Sequence, residues 1–393
     1  MTEQLSLVGE GARPAAASPA EVAPRLLPWF DSVGRELPWR GCGDPYRIWV
    51  SEIMCQQTRI SVVIPYYHRF LERFPTVHAL AAAEEDDVLA AWSGLGFYRR
   101  ARNLHAGARQ VVEQYGGVVP EDPAVLGAIK GIGRYTVGAI LSAAHDQRLP
   151  ILDGNVIRVL SRFFRVDGPP DRAATQKTLW RLAEEVLPHE RPGDFNQALM
   201  DLGALVCKPS GPTCDTCPLA DRCLGLVHGD AESFPRPGRK QTVTFVVRAA
   251  LRLVRPDGRL LLERRPDRGL LPNLWELPAA VVPDAASPEA SARALLRKVS
   301  RAHGLPPSLV DHLVPAGPTE HRFSHRHWTT WVFDVACPLP SSATESRKPE
   351  RRWVHPSELP DLGLPTASRK AIDLPRNDLL HADRRSPSPH WSP

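Results

Sequence analysis

The chain has 393 residues, room for two or three domains, and its 42% hydrophobic and 24% charged content is that of an ordinary globular protein. Its 49 Lys and Arg against 44 Asp and Glu leave a formal charge of +5, which suits a polyanionic partner without requiring one. No uncharged apolar run is long enough to span a bilayer, and the N-terminal stretch lacks the basic start and apolar core of a secretory signal. A cytoplasmic protein off the membrane is therefore expected, with cysteines reduced or metal-bound rather than paired.

Residues 1–24 are rich in Ala, Pro and Glu and are predicted to be disordered. From Leu26 to Cys223 the pattern is mostly helical. Apolar residues recur at helical spacing over Ile48–Gln57, Ile60–Phe74, Asp86–Trp92, Ala101–Tyr115, Tyr135–Ala144, Asn155–Phe164 and Ala173–Val186. Glycine and proline pairs at 94/96, 116/117, 131/133 and 169/170 punctuate these helices. After Cys223 comes a polar linker, 225–241, and then strand signals. Thr242–Val254 and Arg259–Arg265 flank the turn Pro256-Asp257-Gly258; Ser287–His303 reads as a helix and His327–Cys337 as a strand. Residues 375–393 read as a disordered tail. The predicted organisation is an all-α domain over 25–224 followed by an α+β domain over 242–374, with no internal repeat.

Four of the seven cysteines, Cys207, Cys214, Cys217 and Cys223, are separated by six, two and five residues. Four thiolates in one short loop can enclose a metal centre. Structural zinc sites favour two close pairs, and only one exists here, but spacing alone leaves zinc open. Cys42, Cys55 and Cys337 read as ordinary residues.

Ile129-Lys130-Gly131-Ile132-Gly133-Arg134-Tyr135-Thr136 lies between helical segments. Two glycines around an apolar residue permit a tight turn with positive φ, leaving N–H groups free for a phosphate. A plain helix–helix turn reads the same way. Glu52, on a predicted helix, has Ile48, Trp49, Cys55 and Gln56 at three and four positions. Largely apolar neighbours raise a carboxyl's pKa, although an exposed Glu on an amphipathic helix fits the position too. Asp153 precedes a helix, where an Asp is commonly an N-cap.

Three motifs together carry a resemblance: Ser51-Glu52-Ile53-Met54-Cys55-Gln56-Gln57-Thr58, Asp153-Gly154-Asn155-Val156 and the cysteine loop. The chain resembles the adenine DNA glycosylases of the MutY type, in the endonuclease III or helix-hairpin-helix superfamily. The likeness extends from about Leu26 to Ile372. It implies a helix-hairpin-helix glycosylase domain whose cysteines hold a 4Fe–4S cluster. It implies that Glu52 is the general acid and Asp153 the carboxylate that stabilises an oxocarbenium-like sugar. Adenine opposite 8-oxoguanine or guanine in double-stranded DNA would be flipped out and removed, leaving an abasic site. Gln57 matches the residue that fills the vacated space, and Phe97, beside Tyr98, stands where a stacking tyrosine is common. Tyr135 and Asn155 match positions lining the site, and Arg40 an arginine near the adenine pocket. Lys130, Gly131 and Gly133 match the DNA-holding hairpin, although many members carry Pro where Lys130 stands. Tyr135 occupies the position of the lysine that gives bifunctional members their lyase activity, so a monofunctional enzyme is implied, working as a monomer.

The second domain resembles the family's Nudix-like domain through Leu274-Trp275-Glu276-Leu277-Pro278 and the helix ending at Gly304. An active Nudix helix needs glutamates to hold Mg²⁺. Arg297-Lys298-Val299-Ser300-Arg301-Ala302-His303 has none, so nucleotide hydrolysis is not expected here and a basic face toward duplex backbone is. Phe323, Ser324 and His325 match the family's loop for 8-oxoguanine. Three nearby histidines, 321, 325 and 327, raise a metal site as an alternative, and alternation along one strand face explains them as well.

Overall fold

The computed structural model describes residues 17–239, 242–337 and 350–375. The chain forms two compact units. One comprises residues up to Tyr67, Thr76–His78 and Ala106–Lys240; the other comprises His68–Pro75, Ala79–His105 and the chain from Gln241 onward. The division therefore does not fall at the linker alone: a helical stretch expected in the first domain belongs to the second unit.

Eleven helices precede the cysteine loop among the described residues. They are α1 (Val22–Val33), α2 (Pro45–Cys55), α3 (Ile60–Arg73), α4 (Val77–Ala82), α5 (Glu85–Ala91) and α6 (Arg99–Tyr115), then α7 (Pro123–Gly127), α8 (Arg134–His145), α9 (Gly154–Phe163), α10 (Ala173–Val186) and α11 (Pro192–Leu205). Seven match the sequence reading within a few residues at each end. The expected disorder of residues 1–24 is corrected at its end: α1 starts at Val22, and Val22 and Leu26 are buried in the core. Residues 1–16 lie outside the described residues. α4 and α7 escaped because five or six residues are too few to show a period.

α2 starts where Pro45 sets the first helical φ and the Asp44 carboxylate accepts the N–H groups of Tyr46 and Arg47 at 2.9 and 3.2 Å. α9 is capped by Asp153, which accepts the Val156 N–H at 2.8 Å. α11 lies so close to the start of α9 that a Cβ on Gly203 would stand 2.6 Å from that of Asn155. Only glycine permits this approach, which brings Asn196, Gln197 and Met200 to the same cavity as Asp153.

The 225–241 segment is not a free linker. Leu224–Val227 forms α12, and buried Phe234 gives its carbonyl to Arg162 Nε at 3.0 Å. Lys240 and Gln241 lie outside the described residues.

The second unit is built on a seven-stranded sheet: β1 (Thr244–Val254), β2 (Leu260–Arg264), β3 (Trp275–Glu276), β4 (Ala279–Val281), β5 (Val314–Arg322), β6 (Arg326–Ala336) and β7 (Arg351–Val354). Its order is β3-β2-β1-β6-β5, with β4 on β1 and β7 on β2; β1 and β6 run parallel and the other pairs antiparallel. α13 (Pro288–His303) covers one face over Ala249, Leu251, Leu253 and Phe333. Ala250, Leu260, Leu262 and Trp275 form the core of the other face with Ala371 and Ile372 of α14 (Thr366–Ile372). β5 was hidden in the sequence by Pro315, Gly317 and Pro318; an edge strand tolerates them because one side needs no partner. α5 and the start of α6 join this unit through polar contacts. Ser93 Oγ and Tyr98 OH both donate to the Leu364 carbonyl, at 2.7 and 2.9 Å, and Arg264 pairs with Asp86. The predicted tail beyond Pro375 lies outside the described residues.

Candidate active site

A cavity of about 480 Å³ opens in the first unit, within the range of small-ligand pockets. Arg40, Glu52, Gln57, Tyr135, Asp153 and Asn155 all line it. α2 delivers Glu52, α8 Tyr135, and the start of α9 Asp153 and Asn155. The Tyr135 hydroxyl donates to Glu52 Oε2 at 2.7 Å. Burial raises the Glu52 pKa to about 7, and the nearby Asp153 charge adds to the effect, while the Tyr135 bond and Arg40 oppose it. Asp153 is also raised by burial, but the Val156 N–H and the Asn155 amide, at 2.8 and 2.9 Å, favour its ionised form. The two carboxyls thus share one cavity in different surroundings: a single hydroxyl donor on Glu52, and two N–H donors at a helix N-terminus on Asp153.

The pocket's cationic wall rests on a residue missed in the sequence. Asp201, fully buried on α11, accepts Arg40 Nη1 and Nη2 at 2.8 and 2.7 Å and also pairs with Arg35. These bonds hold its pKa below the usual carboxylate range against the opposing effect of burial. The signal was present: Phe195, Ala198, Leu199 and Leu202 recur at helical spacing behind Pro192. A second arginine, Arg158, donates to the Asn155 side chain at 2.9 Å and to the Gly203 and Cys207 carbonyls, both at 2.7 Å. A continuous polar chain therefore runs from the cysteine loop to Asp153.

Of the expected DNA contacts, Arg40 and Gln57 line this cavity and the others lie elsewhere. Gln57, two residues past the end of α2, is exposed with φ of +56°, a strained setting for a non-glycine residue. Lys130, Gly131 and Gly133 are exposed on the turn between α7 and α8. Only Gly131 has positive φ, +84°; Gly133 has φ of −104° and caps α8, correcting the reading of the pair. Phe97 is 47% exposed in the second unit with the Arg100 guanidinium 5.3 Å from its ring. Tyr98 is corrected: it is a core residue, buried with its hydroxyl on Leu364. Phe323, Ser324 and His325 form the turn between β5 and β6, with Ser324 and His325 exposed. The Phe323 ring packs edge-on against His321 and Trp328, 4.5 and 4.9 Å away. The three histidines do not share a strand face. His321 pairs across with Trp328 and His327 with Arg322, which puts His321 and His327 on opposite faces.

Cys207, Cys214, Cys217 and Cys223 line one small cavity together with Arg162. Burial pushes the Cys217 thiol up to about 12 and raises Cys214 and Cys223 as well. Arg162 is 2% exposed and donates to Cys207 Sγ at 3.4 Å and to the Lys208, Pro209 and Phe234 carbonyls. No carboxylate pairs with it among the described residues. A buried cation beside four sulfurs fits an anionic, thiolate-bound group. Among the described residues no three His, Cys, Asp or Glu side chains converge tightly enough for a single ion.

Comparison with known proteins places these features. Residues 50–185 match the HhH-GPD superfamily base excision DNA repair proteins, and residues 249–374 the NUDIX domain. The adenine DNA glycosylase of Mus musculus is 35% identical over 89% of this chain and 76% of its own length. The chain belongs to the adenine DNA glycosylase family. The Homo sapiens adenine DNA glycosylase is 34% identical over 88% of this chain and 72% of its own. A solved thermostable thymine-DNA glycosylase is similar over 52% of this chain and 95% of its own, at 29% identity and a TM-score of 0.49.

In this glycosylase the sheet carboxylates of the Nudix-like domain stand in ion pairs among the described residues: Glu263 with Arg351 at 2.8 Å, Glu276 with Arg248 and Arg265 at 2.9 and 2.6 Å, and buried Asp334 with Arg252. With α13 lacking glutamates beyond Glu289, no acidic cluster forms there among the described residues. The raised Glu52 has a measurable cost in the first unit. Its folded pKa exceeds its unfolded value of 4.5, so stability is full below that value and is lost as pH rises through about 7. Glu52→Gln should therefore melt like the parent at pH 4 and exceed it at pH 8, by up to about 3 kcal/mol. Parallel pH dependences of the two proteins in thermal or denaturant melts would show that Glu52 carries no raised pKa.

Proposed function

We propose that this pocket removes adenine mispaired with 8-oxoguanine or guanine in double-stranded DNA and leaves the strand uncut. The observation that supports the reading best is the Tyr135–Glu52 bond at 2.7 Å in a cavity shared with Asp153. A Glu titrating near 7 is still substantially protonated at neutral pH and serves as an acid. Once the adenine is flipped in, Glu52 gives its proton to the N7 edge of the base. The C1′–N9 bond then breaks with its electrons going to the base, which leaves neutral. Positive charge develops on the sugar, and ionised Asp153 stabilises it or bonds to C1′ transiently. Water adds at C1′ and returns a proton to Glu52, completing an abasic site. Tyr135 has no amine, so no Schiff base forms there and no β-elimination follows.

Gln57, in its strained left-handed backbone, is the residue we assign to the space left by the base. The hairpin at Gly131 takes a phosphate, and the exposed Ser324 and His325 read the opposing 8-oxoguanine. We assign Cys207, Cys214, Cys217 and Cys223 to a 4Fe–4S cluster. When bound, the cluster shapes the loop between Cys207 and Cys223, and Arg162 offsets its charge. The cytoplasmic setting read from the sequence belongs to the same proposal; no helix among the described residues is long and apolar enough to cross a membrane.

Single-turnover assays on a duplex with adenine opposite 8-oxoguanine test this. Strand breaks should appear only after alkali, and Glu52→Gln should bind the duplex yet excise at least about 100-fold more slowly. Breaks without alkali would point to an amine nucleophile, and normal turnover by Glu52→Gln would remove its role. Iron and sulfide analysis of purified protein should give four of each per chain, following from the Cys₄ assignment. Stoichiometric zinc in a colourless protein would contradict the cluster.

A further inference from the structure

The sheet face beneath α13 continues past the helix. Ala249, Leu251 and Leu253 of β1 lie in its core, and on the same face Val247 and Phe245 emerge, 40% and 75% exposed. The parallel register sets Phe245 beside His327 and Val247 beside Thr329. The Phe245 and His327 rings lie 5.4 Å apart. Across the hairpin Arg322 stands opposite His327, and His325 and Arg326 are exposed at its tip. Glu320, on this same face, bonds His327 at 3.2 Å. The Thr244 N–H donates to the His325 carbonyl at 3.0 Å, which ties the start of β1 directly to the Phe323–His325 turn.

A single exposed apolar side chain needs no explanation. An aromatic ring pair with Arg322 beside it on the same face is a more specific surface. Rings offer a stacking platform to bases or sugars, and the cation meets a phosphate. An apolar peptide would match Phe245 and Val247 but not the arginine. We propose that Phe245 and His327, with Arg322, form a second DNA contact of this domain. Phe245 packs on a base or deoxyribose face of the strand that the neighbouring turn reads, and Arg322 holds its phosphate. The proposal rests on the reading of Ser324 and His325 as the 8-oxoguanine contact.

Its test is equilibrium binding of the full chain to a duplex with 2′-fluoro-2′-deoxyadenosine, which resists excision, opposite 8-oxoguanine. Phe245 is exposed, so its variants should fold. Phe245→Ala should weaken binding about tenfold, as expected for a lost stacking platform, and Phe245→Trp should restore it with indole fluorescence quenched by DNA. Arg322→Ala should lower the slope of log K against log salt by about 1. Binding by Phe245→Ala within twofold of the parent would overturn the proposal, as would loss that Phe245→Trp fails to restore. Selectivity for 8-oxoguanine over guanine separates the two readings. Ser324→Ala with His325→Ala should erode it, whereas Phe245→Ala should weaken both duplexes alike. If the double variant keeps selectivity while Phe245→Ala loses affinity, the turn's role fails and the second contact stands.

Discussion

One hydrogen bond underlies the proposed chemistry: the phenol of Tyr135 donates to the carboxyl of Glu52, in a pocket where burial raises the Glu52 pKa. Desolvation alone would make Glu52 a weak acid, and a full set of donors would make it an ordinary carboxylate. A single donor, with Asp153 nearby, leaves it between these limits. Asp153 sits in the same cavity but takes two N–H bonds at the start of α9. Two carboxyls of similar intrinsic acidity are thereby given different surroundings, which the proposed leaving-group protonation and charge stabilisation require.

Three buried or half-buried arginines hold this arrangement in place. Arg40 is fixed by Asp201, Arg158 ties Asn155 to the cysteine loop, and Arg162 stands among the cysteines. Buried ions contribute little net stability, since desolvation offsets their attraction, but they tolerate few alternative geometries. The close approach at Gly203 works to the same end, pressing α11 against the residue that orients Asp153. The cysteine loop thus acts on the pocket through structure: its Cys207 carbonyl is one end of the chain that reaches Asp153.

Much of this was legible in the sequence. Helices with a sustained apolar period appeared at nearly their observed bounds, as did β1, β2, β6 and α13, because burial on one face imposes the pattern. The motif residues Glu52, Tyr135, Asp153 and Asn155 do meet in one cavity. What failed to show was whatever depends on partners distant in the chain. Asp201 belongs to no motif, and its place shows only once Arg35 and Arg40 are seen around it. Tyr98 reads as a neighbour of Phe97 until its hydroxyl is found on Leu364, and Phe245 as one more strand residue until α13 leaves it bare. β5 escaped because prolines hid an edge strand, and the membership of residues 79–105 because their partners lie more than 150 residues away.

The central claim is that Glu52 keeps its proton to near neutrality in the free enzyme. Infrared difference spectroscopy between the parent and Glu52→Gln, followed across pH, isolates that one carboxyl. The account predicts a titration at about 7 rather than at the ordinary 4.5, moving higher in Tyr135→Phe, where the donated bond that favours the carboxylate is gone. A carboxyl that titrates near 4.5 and does not respond to Tyr135→Phe would contradict it.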